Sequence, residues 1–340
     1  MMKKIAYLLI FITIYSNHRI NAMDQTKSQT HLIIIPGQNE DGGKHAINTL
    51  PYFAGKINYT HKVATPNIII DFGQNRCQSY LKETLNSLDK NAKVIIHASS
   101  QGTATALNYA SKYPEKIGAL ILEAPMISGN SVIFHTVAHN VLPFLNYIPG
   151  SYYALSYLAK YWPIYLTYSP AGEQPIFNID KLPQNLPIII LHHKHDPQIS
   201  YHDAEALYAF LKNTQKNNNA YLMSKDSNWA EHIDLLWNLE DEHNLHKAYT
   251  INQILEKHHL LLAAIKKDKV PVNTNFDYQP EPKKEWLDHF ENLRTKETIM
   301  WYINWPIKII AYSLLLYRLI YKINTINQII TTLPIIPFIW

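Results

Sequence analysis

VIIHASSQG, Val94 to Gly102, is the stretch whose reading decides the fold. Val94, Ile95 and Ile96 are apolar and β-branched, as in a strand buried on both faces. The chain then meets Ala98, Ser99, Ser100 and Gly102, residues small enough for a sharp turn. Gly102, Ala106 and Ala110 follow four apart, giving a helix one smooth face that can lie close to a sheet. Pro114 predicts the end of that helix, because the residue before a proline avoids the helical region.

The same rhythm continues on both sides. The runs His31–Ile35, Asn67–Ile70, Lys93–Ile96, Ala119–Leu122, Leu186–Leu191 and Ala220–Met223 are short, apolar almost throughout and bounded by turn residues. Segments with helical spacing separate them. An α/β fold follows: a mostly parallel sheet of about six strands flanked by helices, with right-handed crossovers, over residues 30–260. One interval breaks the pattern. Between Pro125 and Pro183 no buried strand is found, and Phe134, Phe144, Tyr147, Tyr152 and Trp162 alternate with Pro143, Pro149 and Pro163. Two or three short helices inserted over 127–183 are expected there, as a cap over a ligand site or as a second lobe of core. Beyond residue 265 the sheet pattern ends. Residues 266–298 read as a charged, proline-containing linker and a polar helix near 285–294, and residues 299–340 as a hydrophobic helical tail.

In the tail, Ile303, Ile307, Ile310, Leu314, Tyr317 and Tyr321 recur at three and four, while Asn304, Lys308, Arg318 and Lys322 fall in one narrow arc. A thin basic stripe beside a broad apolar face suits a helix lying in a membrane interface. A spanning helix, with Lys308 costly at mid-bilayer, and a helix packed on the protein body are the alternatives. At the other end, Lys3 and Lys4 precede the apolar run Ile5–Ile14, and Asn21-Ala22 precede Met23. That is the layout of a signal peptide over residues 1–22, and it predicts export to the periplasm or the medium. The run is too short to span a bilayer, which needs about 20 residues.

Composition narrows the function. The 340 residues are 47% hydrophobic and 17% charged, with a net charge of +4 spread along the chain. No clustered basic face with interleaved aromatics occurs in the first 260 residues, so nucleic acid is not an expected partner. Cys77 is the single cysteine, so no intrachain disulfide can form, and its helical surroundings give it a structural role. No glycine-rich phosphate loop is present, so no nicotinamide cofactor is expected. His192, His193, His195 and Asp196 lack a matching second ligand cluster, so no metal is expected either.

The turn at Ser100 carries chemistry. A tight strand-to-helix turn lifts a serine hydroxyl above the sheet only if the residues two before and two after are small. Ala98 and Gly102 meet that condition and select Ser100 over Ser99; Ala98 departs from the usual glycine. The helix starting below Ser100 also favours developing negative charge. The run from Val94 to Pro125 resembles the middle of the α/β-hydrolase superfamily, and the resemblance extends over about residues 31–240. It implies a triad in the order serine, acid, histidine. Asp196, in the loop after Leu186–Leu191, is the implied acid, with Glu123 at the end of the preceding strand as the alternative. His232, in Asn228-Trp-Ala-Glu-His232 after the last strand, is the implied base. Ser200 and Asp203 read as the cap of the helix after the acid loop. By position, the backbone N–H groups of Gln38 and Gln101 form the oxyanion hole, although Pro36 replaces the family's histidine.

A serine hydroxyl is a weak nucleophile until a histidine takes its proton, and a carboxylate fixes that histidine's tautomer. The resemblance therefore implies a serine hydrolase working through an acyl-enzyme. The aromatic insertion favours a small-molecule ester or lipid with an apolar acyl or aryl group. Thioester and amide substrates stay open, as does a catalytically silent binding or scaffold protein that keeps the fold.

Overall fold

The computed structural model describes residues 30–35, 37, 58–62, 73–90, 92–159, 174–225, 242–260, 278–303, 313 and 317. Residues 1–290 form one compact unit and 291–340 a second.

In the first unit, strands β1 (Thr30–Ile35), β2 (Asn58–Lys62), β3 (Lys93–Ser99), β4 (Ile117–Glu123), β5 (Ile188–His193) and β6 (Ala220–Lys225) pair in the order β2-β1-β3-β4-β5-β6. Every pair is parallel. Parallel neighbours require crossovers. These include α1 (Gly73–Ser87) before β3 and α2 (Gln101–Lys112) between β3 and β4. Between β4 and β5 lie α3 (Gly129–Asn140) and α4 (Ser151–Ala159), with short 3₁₀ turns at Pro143–Tyr147, Pro175–Phe177 and Ile179–Lys181. Helix α5 (Tyr201–Ala209), continued by a π turn over Phe210–Thr214, leads to β6, and α6 (Glu242–Lys257) follows. Residues 284–303 form α7.

The apolar runs are buried because both faces of the sheet are covered. On one face Leu32, Ile34, Ile95, Ile121, Ile189 and Leu191 pack against Ala248, Ile251 and Leu255 of α6. On the other lie α2 and α5. Helix α2 is buried from Gly102 to Ser111, as its small-residue face requires. It ends where Pro114 forces it to: Tyr113 leaves the helical region at φ −138° and ψ 64°. Strand order reverses between β1 and β3, so a crevice forms at the carboxyl ends of these two strands, the usual ligand position in open α/β sheets.

Three details differ from the sequence expectation. Strand β2 is NYTHK, with no apolar run; among the described residues it stands at the edge of the sheet and pairs with β1 alone. The run Asn67–Ile70 lies outside the described residues. Strand β5 begins at Ile188 rather than Leu186, since Pro187 has no N–H for the ladder, although its carbonyl still accepts from Leu120 N at 2.9 Å. It continues through His193, so His192 and His193 are strand residues on opposite faces. Finally, Ser200 stands at the N-cap of α5 but makes no side-chain capping bond. The Asp203 carboxylate bonds instead to Ser131 Oγ (2.7 Å) and His289 Nε2 (3.0 Å), tying α3, α5 and α7 together.

In the second unit, Thr295 and Thr298 bond back to the carbonyls of Glu291 and Arg294, while Trp301, Tyr302, Ile303 and Tyr317 are exposed. Among the described residues no helix is long and apolar enough to cross a membrane.

Candidate active site

Ser100 stands between β3 and α2, at the N-cap of the helix, with φ 48° and ψ −123°, a left-handed backbone that a serine adopts at a cost of about 1–3 kcal/mol. Hydrogen bonds on both sides hold it there. Ser100 N–H donates to the Glu123 carbonyl at 2.8 Å. Thr103 N–H donates to the Ser100 carbonyl at 3.0 Å, and Thr103 Oγ1 donates to the same carbonyl. Thr103 Oγ1 in turn accepts Met126 N–H at 2.8 Å, pinning the turn to the segment leaving β4. Ala124 has a positive φ of 50°, and its N–H donates to the Leu191 carbonyl at 2.8 Å. The exits of β3 and β4 are thus each hooked onto the next strand.

Small neighbours make this turn affordable in space: Ala98 and Gly102 are both buried. Ser99 is 0% exposed, whereas Ser100 is partly accessible. Of the two serines, Ser100 is the one with the strained backbone and the accessible surface. Gln101 is the first residue of α2, so its N–H has no carbonyl one turn earlier to bond, and the positive end of the helix lies at the serine. Ile35 at the end of β1 stands in register with Ala98, which places the exit of β1 beside the turn. Gln38, the residue after the described Gly37, lies outside the described residues.

Asp196 sits at the same edge of the sheet, on the loop leaving β5, and is 3% exposed. Its Oδ1 accepts two backbone N–H groups of its own loop, from Gln198 (2.7 Å) and Ile199 (2.9 Å). Such bonds favour the ionised carboxylate. Its Oδ2 lies 3.9 Å from His192 Nε2. His193 pairs with Lys225 in the β5–β6 ladder, so the segment that contains His232 departs next to the Asp196 loop. His232 itself lies outside the described residues.

Glu123 is fully buried, with Oε2 at 3.3 Å from Nε2 of the equally buried His97. His192 packs its ring edge-on against Tyr201, with centroids 5.7 Å apart, and donates from Nδ1 to the His193 carbonyl at 2.7 Å. Among the described residues no three His, Cys, Asp or Glu side chains converge to hold a metal. A cavity of about 510 Å³ opens at the opposite, amino-terminal edge, lined by Lys93, Ile117, Gly118, Pro187, His258 and Leu260, away from Ser100.

Sequence spacing did not point to Thr103, nor to His135, Thr136 and Asn140 of α3, whose side chains reach the Asp196 loop. Thr103 had a faint signal, as a hydroxyl in the first turn of a helix that starts in a strained residue. The α3 residues had none, because their partners lie about sixty positions away.

No protein-family model matches the sequence, and no curated protein matches it. Solved structures do resemble the fold. Est1E from Butyrivibrio proteoclasticus is 14% identical, with a TM-score of 0.46 over 70% of this chain and 91% of that one. The Pyrococcus furiosus esterase PF2001 is 13% identical, at 0.44 over 68% and 82%. A monoacylglycerol lipase from Paleococcus ferrophilus is 13% identical, at 0.42 over 68% and 97%.

Proposed function

We propose that this chain, which has the α/β-hydrolase fold, is a serine hydrolase of carboxylic esters with an apolar acyl or aryl group. The observation that carries the proposal is the strained backbone of Ser100 at the strand-to-helix turn. Strain persists where surrounding structure enforces it, and such strain gathers at sites of function. Here it presents a hydroxyl at the crevice where the strand order reverses.

The roles follow from the chemistry. Ser100 Oγ attacks the acyl carbonyl while His232 takes its proton. The backbone N–H groups of Gln38 and Gln101 hold the oxyanion. His232 then passes the proton to the departing alcohol, and water, activated by the same imidazole, frees the acid and restores Ser100. Asp196 orients His232. Two things favour Asp196 over Glu123 as the acid. Its loop lies beside the exit of β6, and the Glu123 carboxylate is engaged by His97. The similar structures named esterase and lipase agree with an ester substrate, as does the aromatic insertion. Export rests on the residues 1–22 pattern, and membrane-surface contact on the apolar and basic spacing in the sequence of residues 299–340, where Trp301, Tyr302 and Ile303 are exposed.

A panel of p-nitrophenyl esters of rising chain length tests the substrate class. Turnover that rises with acyl length and disappears in Ser100→Ala is expected. Flat turnover that survives the substitution contradicts it. For the tail, vesicle flotation with the full chain is expected, and no flotation after removal of residues 299–340; equal flotation of both contradicts it.

A further inference from the structure

Helix α3 reaches out of the insertion and places three side chains on three successive carbonyls of the loop that carries Asp196. His135 Nε2 donates to the Asp196 carbonyl at 3.0 Å, Asn140 Nδ2 to Pro197 at 2.8 Å and Thr136 Oγ1 to Gln198 at 3.2 Å. Within the loop, the N–H groups of Gln198 and Ile199 converge on Asp196 Oδ1. The loop is therefore gripped twice. Its carbonyls are held from outside by α3, and its amides are held from inside by the carboxylate. Together these fix the direction in which Oδ2 points.

Docking of α3 itself does not require this fan of bonds. The helix is capped at its start, where Ser128 Oγ accepts Ser131 N–H at 3.0 Å. Its first half is buried through Ser131, Val132 and Ile133, and Ser131 bonds to Asp203. Only its last residues, His139 and Asn140, are exposed, yet Asn140 directs its amide at Pro197 and also at the Thr136 carbonyl, 3.0 Å away. Three polar side chains of the half-buried and exposed part of the helix thus serve the loop rather than the core.

We infer that His135, Thr136 and Asn140 are positioning residues: they hold the Asp196 carboxylate in the attitude that orients the catalytic base. Docking of the insertion on the acid loop is then a condition of turnover, not only of substrate binding. The inference rests on Asp196 being the triad acid.

The test compares Asn140→Ala, Thr136→Val, Thr136→Ser and Asp196→Asn, each normalised by the number of serines titrated with a fluorophosphonate. Asn140 is exposed and Thr136 half-buried, so these variants are expected to fold, which circular dichroism checks. Each loop bond is expected to be worth about a five- to tenfold fall in kcat in Asn140→Ala and Thr136→Val, with KM nearly unchanged. The acid limb of the kcat/KM profile, set by the base, moves to lower pH because the carboxylate no longer supports the imidazolium. Thr136→Ser stays near the wild type. Full kcat, or a lower kcat with an unmoved acid limb, overturns the positioning role if Asp196→Asn is inactive. An active Asp196→Asn overturns the triad assignment, and the positioning role with it.

Discussion

The turn after β3 and the loop after β5 come to the same edge of one sheet, yet they are built by opposite means. The turn is held by its own backbone and by neighbours close in the fold: Ser100 N–H on Glu123, Ala124 N–H on Leu191, and Thr103 joining Ser100 to Met126. The loop is held by side chains from another segment, with His135, Thr136 and Asn140 on its carbonyls. On the proposed reading Ser100 is a nucleophile that sits in one strained backbone conformation, and its support is main chain of the sheet with one buried hydroxyl, that of Thr103. On the same reading Asp196 is an acid that adopts one attitude relative to a base on a third segment, and its support comes from α3 of the insertion. The difference teaches that strain is written locally, whereas orientation is written in contacts across the chain.

The largest effect expected on the turn side comes from beneath it. His97 and Glu123 form a pair that is 0% exposed on both sides, next to Ser99 in the ladder. Removing one member deprives the other of this buried hydrogen bond, at about 3 kcal/mol, the upper end for a buried polar group. His97→Leu is therefore expected to lower the denaturant midpoint strongly, and His97→Leu with Glu123→Met to recover most of the loss. Equal loss in the single and double variants would show that the pair does not act as a unit. Next comes Thr103, which is fully buried and bonds on both sides of the turn. Thr103→Val removes a donor and an acceptor in almost the same volume and leaves Met126 N–H without its oxygen, at about 1–3 kcal/mol. Chemical denaturation measures it, and a variant as stable as the wild type would break the proposed anchoring of the turn.

The smallest effect belongs to the loop side, where it runs into α5. The hydrogen bond to Glu205 raises the His202 pKa above the usual imidazole value, against the lowering by partial burial, and the carboxylates of Glu205, Asp203 and Glu285 add to the rise. A folded pKa above the unfolded one means that the contribution to stability is complete below the unfolded value of about 6.5 and is lost as pH rises through the folded value. The wild type should therefore lead Glu205→Gln in Tm at about pH 5.5 and lose that lead by about pH 8. The lead is small because the His202 ring is mostly exposed. A lead that grows with pH would contradict the sign.

The same contrast explains what the sequence made legible. Ile33–Ile35, Val94–Ile96 and Ile188–Ile190 are buried on both faces, and unbroken apolar runs announce such strands directly. Ser100 was legible because tightness demands small residues at fixed offsets, and Ala98 and Gly102 supply them. NYTHK of β2 carried no signal, since an edge strand does not need an apolar run. Asp203 misled, because an acid three residues after a serine fits a cap by spacing alone, while its actual partners, Ser131 and His289, lie 72 and 86 positions away. The bonds of α3 to the acid loop escaped for the same reason. His232 and Gln38 stand on the resemblance and on the neighbouring register, which brings the exits of β6 and β1 to the acid loop and to the turn.

One measurement decides whether this edge of the sheet is an active site. The folded protein is treated with a fluorophosphonate and digested, and the modified peptide is identified. Labelling confined to Ser100, absent from Ser100→Ala and slowed strongly in His232→Ala, is the predicted result. No labelling of well-folded protein, or labelling that survives Ser100→Ala, would contradict it.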